Sequence, residues 1–376
     1  MTRPTNRSGP VGVGIVGAGN ISEQYLTTLA GFPDVEVLII GDLMADRAEA
    51  QARRHGVGAW GKAQDVLAHD GVEIVVNLTV PAVHAEVSSA AVAAGKHVWS
   101  EKPIAVDPAA ARALLDQAAA AGLRVGVAPD TALGPGVQTA RRAIERGDIG
   151  SALSAYTVCQ SPGPDAWHPS PEFLFAQGAG PLFDMGPYYY TTLITLFGSV
   201  TRVSAVGSTG RKVRTIRTGP RAGTEFTVEV PTHVAALASF ESGAVSQSVF
   251  SFDAPLVREG IVEINGTEGA LVVPDPNKFA GDVRVTRGSA GAGDAQWETV
   301  ESVASGGGRG LGVLDMARAV RTGAPHIATG ELGHHVLDVL VAIDRAVATG
   351  ETQQVASRAG AVHAVPPDRD PYAATL

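Results

Sequence analysis

The run Gly17-Ala18-Gly19-Asn20-Ile21-Ser22 stands between an apolar segment, VGVGIV, and a stretch with helical spacing. A Gly-rich turn that ends a strand and opens a helix is suited to a pyrophosphate. Gly17 permits the tight turn, and Gly19 lets phosphate approach the amides at the helix N-terminus. Ser22 replaces the third glycine of such turns and is still small enough for close helix–strand packing. Asp42 ends the next apolar run, 23 residues after Gly19. A carboxylate there accepts from ribose hydroxyls and repels a 2′-phosphate. Leu43 follows instead of a cation, so the pattern favours NAD over NADP. Arg47 is in reach of a phosphate but reads more simply as a solvated helix residue. The groups able to move protons lie elsewhere. Lys102 follows the short run HVWS, on a loop at a strand's carboxyl end, where open α/β sheets bind ligands. Its ammonium can hold a hydroxyl, stabilise a developing alkoxide and lower the pKa of a nearby phenol or imidazole. Asp184 and Tyr188 are four residues apart and share a helix face once the helix has begun. Pro187 is tolerated if it falls in the first turn, where Asp184 would also serve as an N-cap. His168, in Trp167-His168-Pro169, is a rival base on a polar loop. His84, after Pro81, is placed to meet the cofactor.

These residues need a scaffold. Residues 11–131 alternate apolar, β-branched runs with helical ones. The strands are VGVGIVG, VEVLIIGD, VEIVVNLT, HVWSEKP and LRVGVAPD. The last helix, DPAAARALLDQAAAAG, has Asp107 as N-cap and Pro108 in its first turn. Unbroken apolar strands with helices between them imply a parallel sheet covered on both faces. From residue 132 the pattern changes to one helix, then alternating runs such as ALSAYTVCQ, VTRVSAVGS and GIVEINGTEGALVV. That alternation implies an antiparallel sheet with one covered face. The predicted fold is a Rossmann α/β domain over 1–131 and an α+β domain with an open, mostly antiparallel sheet over 132–376. GSAGAGDAQ and ASGGGRG read as flexible surface loops. Two helices, GVLDMARAVRTG and ELGHHVLDVLVAIDRAVATG, come last.

Bulk properties narrow the classes. The 376 residues suit two domains, and 45% hydrophobic content fills two cores. A net charge of −9 argues against nucleic acid and anionic membranes as partners. No apolar run is long enough to span a bilayer, and the N-terminus lacks the apolar core of a signal peptide. The single cysteine, Cys159, excludes an intramolecular disulfide and reads as a core residue. A cytoplasmic protein is expected. No His, Asp or Glu cluster has metal-ligand spacing, and His233 and the His334-His335 pair read as structural.

The motifs VGIVGAGNIS, NLTVPAVHAEVSSAAVAAGKHVWSEKP and GAGPLFDMGPYYYTTL together resemble the glucose–fructose oxidoreductase/inositol dehydrogenase (Gfo/Idh/MocA) family, over almost the whole chain. The resemblance implies NAD at Gly17, Gly19, Asn20, Ile21, Asp42, Leu43, Arg47, Thr79, Pro81, His84 and Glu101-Lys102-Pro103, with the nicotinamide beside Lys102. It implies that Pro103 closes a cis peptide. The second-domain sheet would carry substrate and subunit contacts in a homo-oligomer, a dimer or tetramer. The family pattern D-x-G-x-H reads Asp184-Met185-Gly186-Pro187-Tyr188 here, with tyrosine for the usual histidine. Lys102, Asp184, Tyr188 and His168 are therefore the catalytic candidates. Trp167, His168, Asp184, Tyr188 and Tyr189 are the candidate substrate contacts.

The expected activity is an NAD-dependent oxidation of a secondary hydroxyl on a sugar, sugar derivative or cyclitol. One rival uses the same scaffold and bound NAD as a glycosidase, by transient oxidation at C3, elimination and hydration. The tyrosine at 188 and the basic run Arg211–Arg217, which would suit an anionic sugar, fit that rival. That run also reads as a solvated loop or subunit contact. A non-catalytic cofactor sensor is the reading from another class, and retention of Lys102 and Asp184 argues against it.

Overall fold

A computed structural model describes residues 8–288, 295–302 and 306–376. The first strands and helices follow the predicted alternation. They are β1 (Val11–Val16), α1 (Asn20–Leu29), β2 (Val35–Gly41), α2 (Ala45–His55), β3 (Ala59–Gly61), α3 (Ala63–Ala68), β4 (Ile74–Asn77), α4 (His84–Ala93), β5 (His97–Ser100), α5 (Pro108–Ala120) and β6 (Val125–Val127). The short β3 and α3 carry too few apolar residues for a periodic signal. All six strands are parallel, in the order β3-β2-β1-β4-β5-β6. That is the doubly wound Rossmann order. Asp107 caps α5 as predicted, accepting from the Ala110 amide at 3.0 Å.

The remaining elements are α6 (Pro135–Glu145), β7 (Ala152–Gln160), α7 (Gly180–Phe197), β8 (Val200–Ser208), β9 (Val213–Thr215), β10 (Glu225–Thr227), β11 (His233–Phe240), β12 (Val245–Ser251), β13 (Arg258–Gly266), β14 (Gly269–Val273), β15 (Val283–Arg287), β16 (Glu298–Val300), α8 (Leu311–Thr322), α9 (Gly330–Thr349) and β17 (Gln353–Gln354). Nine strands form a sheet in the order β16-β15-β14-β13-β7-β12-β11-β8-β17. Every pairing is antiparallel except β7 with β12. Helix α7 packs on β7, β11 and β12. Cys159 is buried in β7, and that burial pushes its thiol up to about 12.

By packing, the chain divides differently from the single cut expected at 131/132. Among the described residues, one compact unit comprises 8–138, 306–337 and 360–376; the other comprises 139–288, 295–302 and 338–359. The reason is a set of specific bonds that bring the late segments back to the Rossmann sheet. Asp130, after β6, accepts from the amides of Gly310 at 2.8 Å and Gly312 at 3.1 Å, and so receives the start of α8. Burial pushes its carboxyl up to about 6, against the opposing pull of Arg309 and those amides. Arg318 on α8 pairs with Asp34 at 2.7 Å, Arg321 with Glu73 at 2.7 Å, and Thr329 bridges Gly126. The run ASGGGRG is thus no flexible loop at its end: Gly310 is buried. Residues 304 and 305 of that run, and 289–294 of GSAGAGDAQ, lie outside the described residues.

Candidate active site

The dinucleotide turn has the geometry its sequence demands. Gly17 has φ +108°, and a Cβ there would stand 2.6 Å from the Leu78 carbonyl oxygen, so only glycine fits. At Gly19 nothing lies within 4 Å of a Cβ position, so the turn is open over the first amides of α1. An open concavity of amides is what a pyrophosphate fills. Ser22 is fully buried, donates to the Gly19 carbonyl at 2.6 Å and accepts from Gln51. Asp42 is held by two amides, Ala18 at 2.7 Å and Met44 at 2.9 Å. Its neighbour Leu43 is 98% exposed, an apolar side chain left open beside the carboxylate. Asn20 and Ile21 head α1, Thr79 and Pro81 follow β4, and Arg47 is exposed on α2. These residues fit a dinucleotide along the carboxyl edge of β2, β1, β4 and β5.

The Lys102 turn lies at the end of β5 in the same edge, and its peptide bond to Pro103 is cis. Two devices brace it. Glu101 turns inward, accepting from Tyr25 Oη at 2.8 Å and from the Lys102 amide at 3.1 Å, and Trp99 Nε1 donates to Tyr25 Oη at 3.1 Å. His84 places its Nδ1 2.6 Å from the Pro103 carbonyl oxygen and its Nε2 3.0 Å from that of Thr79. Asn77 completes the brace, donating to the His84 carbonyl and Ser88 Oγ and accepting from the Thr79 hydroxyl. Glu101 and His84 were expected to touch cofactor. Both are buried and engaged on both polar ends, and in that position they brace the lysine turn.

In the second unit, α7 begins at Gly180, earlier than expected. Asp184 is therefore inside the helix and is not its N-cap. Pro187 is interior as well, and so it withholds an N–H from the Phe183 carbonyl. Asp184 and Tyr188, at i and i+4, share a face; Asp184 is half-buried and Tyr188 is 7% exposed. Gly186 lets α9 pack close, because a Cβ there would stand 2.7 Å from Leu340 Cδ2 and the leucine would have to shift.

Residues 11–128 match the oxidoreductase family with an NAD-binding Rossmann fold, and 137–272 match the GFO/IDH/MocA C-terminal domain. The chain belongs to the GFO/IDH/MocA oxidoreductase family. Trans-1,2-dihydrobenzene-1,2-diol dehydrogenase of Bos taurus is 27% identical over 266 residues, 70% of this chain and 74% of that protein. The 1,5-anhydro-D-fructose reductase of Ensifer adhaerens is 26% identical over 266 residues, 69% of this chain and 74% of that one. A solved NAD-binding oxidoreductase from Klebsiella pneumoniae has a TM-score of 0.81, covering 93% of this chain and all of that one at 24% identity, which shows the shared fold.

Within this GFO/IDH/MocA chain, further candidates need correction. Tyr189, expected to touch substrate, is fully buried: its hydroxyl donates to the Val158 carbonyl at 3.2 Å and accepts from the Gly260 amide at 2.8 Å. Burial pushes that hydroxyl's pKa far above the ordinary phenol value. His168 Nδ1 accepts from the Ser170 amide at 3.0 Å. An amide can only donate, so the neutral ring carries its proton on Nε2. His168 therefore offers a donor, and its one basic nitrogen is already occupied.

Arg214 was read as one cation of a solvated run. Arg211, Lys212 and Arg217 are exposed, but the Arg214 side chain is 1% exposed. It pairs with Asp165 at 2.6 Å and Asp253 at 2.5 Å, donates to the carbonyls of Pro162 and Phe252, and lies over the Phe175 ring. The alternation Val213-Arg214-Thr215-Ile216 carries the signal, since Arg214 shares a face with the fully buried Ile216. Among the described residues no group of three or more His, Cys, Asp or Glu side chains forms a metal set, and no helix is long and apolar enough to cross a membrane.

Proposed function

We propose that this chain is an NAD-dependent dehydrogenase acting on a secondary hydroxyl of a sugar, sugar derivative or cyclitol. The observation that supports it most is the braced Lys102 turn, set along one sheet edge with the open Gly19 turn and Asp42. When bound, NAD supplies the hydride acceptor. The Lys102 ammonium then holds the reacting hydroxyl and stabilises its developing negative charge. Asp184 orients that hydroxyl, and Tyr188, entering as the phenolate, takes the proton and becomes the neutral phenol, a role opened to it because His168 presents a donor. The names of the two relatives, a cyclic diol dehydrogenase and an anhydrosugar reductase, support a ring-borne hydroxyl. Val206, Leu237 and Val245 lie exposed on one face of the nine-stranded sheet, which we assign to contacts between copies in a dimer or tetramer.

A panel of sugars, inositols and glycosides with NAD tests the reading, following reduced cofactor and released aglycone together. One reduced NAD per oxidised product is the expected result. Many cleavages per NAD with no build-up of the reduced form would instead establish a redox glycosidase. Tight NAD binding without turnover on any member would mark a sensor.

The cofactor preference has its own test. Wild-type protein binds NAD much more tightly than NADP, and Asp42→Ala narrows the gap, because a 2′-phosphate no longer meets a carboxylate. Calorimetry showing equal wild-type affinity for NADP would remove Asp42 from that role.

A further inference from the structure

Trp167 and Phe173 are 67% and 60% exposed, the most exposed aromatic side chains among the described residues. The others are covered on one side: Trp60 by Arg53, Trp297 by Arg284, and Tyr372 by Phe32. Trp167 and Phe173 flank the His168 ring, each edge to face with it, at centroid distances of 5.6 and 5.4 Å. Exposed aromatics normally fold inward, since burying the ring removes its apolar surface from water. Here the backbone prevents it. Arg214 pins the start of the loop through Asp165 and the Pro162 carbonyl, and Phe175 anchors its end in a core with Val228 and Phe252. Arg221 holds Glu172 at 2.5 Å, and Gly219 packs against Pro169. The segment Glu172–Leu174 rests on α7, the helix that carries Asp184 and Tyr188.

We propose that Trp167 and Phe173 form a fixed shelf that stacks a second ring of the substrate. The substrate is then a glycoside, with the oxidised sugar linked to another ring, either an aromatic aglycone or a neighbouring sugar. Both present the same chemistry to the shelf, a flat apolar face, and His168 Nε2–H between the two aromatics donates to an oxygen on that ring or its linkage. Three rings on one loop are far too small a patch for a stable subunit interface, which needs about 800 Å² per partner. A ring attached to a substrate needs only this much surface. The inference rests on the sugar-dehydrogenase reading and deepens it.

The test takes whichever monosaccharide of the panel reduces NAD and compares its methyl glycoside, its phenyl glycoside and a disaccharide bearing it at the non-reducing end. One ring-bearing substrate is expected to exceed the methyl glycoside in kcat/KM by about tenfold, the worth of one good aromatic stack. Which of the two does so identifies the second ring. Trp167→Ala and Phe173→Ala bring that ratio close to one, Trp167→Phe retains most of it, and Trp297→Ala leaves it unchanged. Equal kcat/KM for methyl and both ring-bearing glycosides in the wild type would overturn the shelf. So would an unchanged ratio in Trp167→Ala, including the case where that variant instead lowers the sedimenting mass and so marks a subunit contact. If no sugar reduces NAD, the parent reading has failed, and the inert wild type distinguishes that outcome from failure of the shelf alone.

Discussion

Lys102→Ala is expected to cut turnover by roughly 10²–10⁴-fold while leaving NAD affinity within about a few-fold. The size follows from what the ammonium does. Negative charge develops on the substrate oxygen as its proton leaves on the way to hydride transfer, and a cation held in place for it stabilises that alkoxide-like state more than the neutral alcohol of the ground state. The substitution should not disturb the turn itself. The residue 102 amide, a backbone donor, bonds the Glu101 carboxylate, and the bond from His84 goes to the Pro103 carbonyl, so neither needs the Lys102 side chain and both survive in alanine. Nor should it strip the cofactor, because the glycine turn and Asp42 form their geometry without Lys102. Lys102→Arg keeps the charge but replaces a compact ammonium with a planar fork, and recovers only part of the rate. Steady-state kinetics on the substrate found by the panel, together with NAD calorimetry, check this. Near-normal turnover in Lys102→Ala would take the residue out of the mechanism.

Arg214→Met should destabilise the second unit by about 3–5 kcal/mol, the usual result of removing one partner from a buried ion pair. The methionine roughly replaces the volume over Phe175 but leaves Asp165 and Asp253 facing each other across an emptied site, with the carbonyls of Pro162 and Phe252 short of a donor. Lysine does not rescue it, since one ammonium cannot span four acceptors arranged for a guanidinium fork. The effect also has a pH signature. Burial by itself would raise the Asp253 carboxyl, but bonds from Thr232, the Gly210 amide and Arg214 outweigh it and hold the group below its ordinary value. A depressed folded-state value stabilises above the unfolded one and is lost as pH falls through the folded one. The wild type's advantage over Arg214→Met should therefore shrink on acidification below the ordinary carboxylate range. Thermal unfolding followed from pH 7 to 3 checks both points, with NAD affinity, a property of the first unit, as the control. A midpoint within about 1 °C of wild type at pH 7 would show that the cluster holds nothing.

Elements whose signal is local were legible in the residue order. The β1 run, the glycine turn and Asp42 are close in sequence, and the constraints of a tight turn act on neighbouring atoms, so their spacing was enough to place a dinucleotide. The Asp107 cap and the alternation in β7 and β13 are likewise matters of near neighbours and of one face against the other. What escaped was set by partners distant along the chain. Only the folded molecule brings Asp130 to Gly310 and Gly312 and returns residues 306–337 to the first unit. The roles of His84 and Glu101 depended on which way each side chain turned, inward to Pro103 and Tyr25, and residue type does not carry that direction. Arg214 looked like a solvated cation because hydropathy registers its charge, whereas burial depends on Asp165 and Asp253, 49 and 39 residues away, arriving together to neutralise it. The exposure of Trp167 and Phe173 is the converse case. Composition alone would bury two aromatic rings, and only the anchoring of their loop at both ends keeps them at the surface.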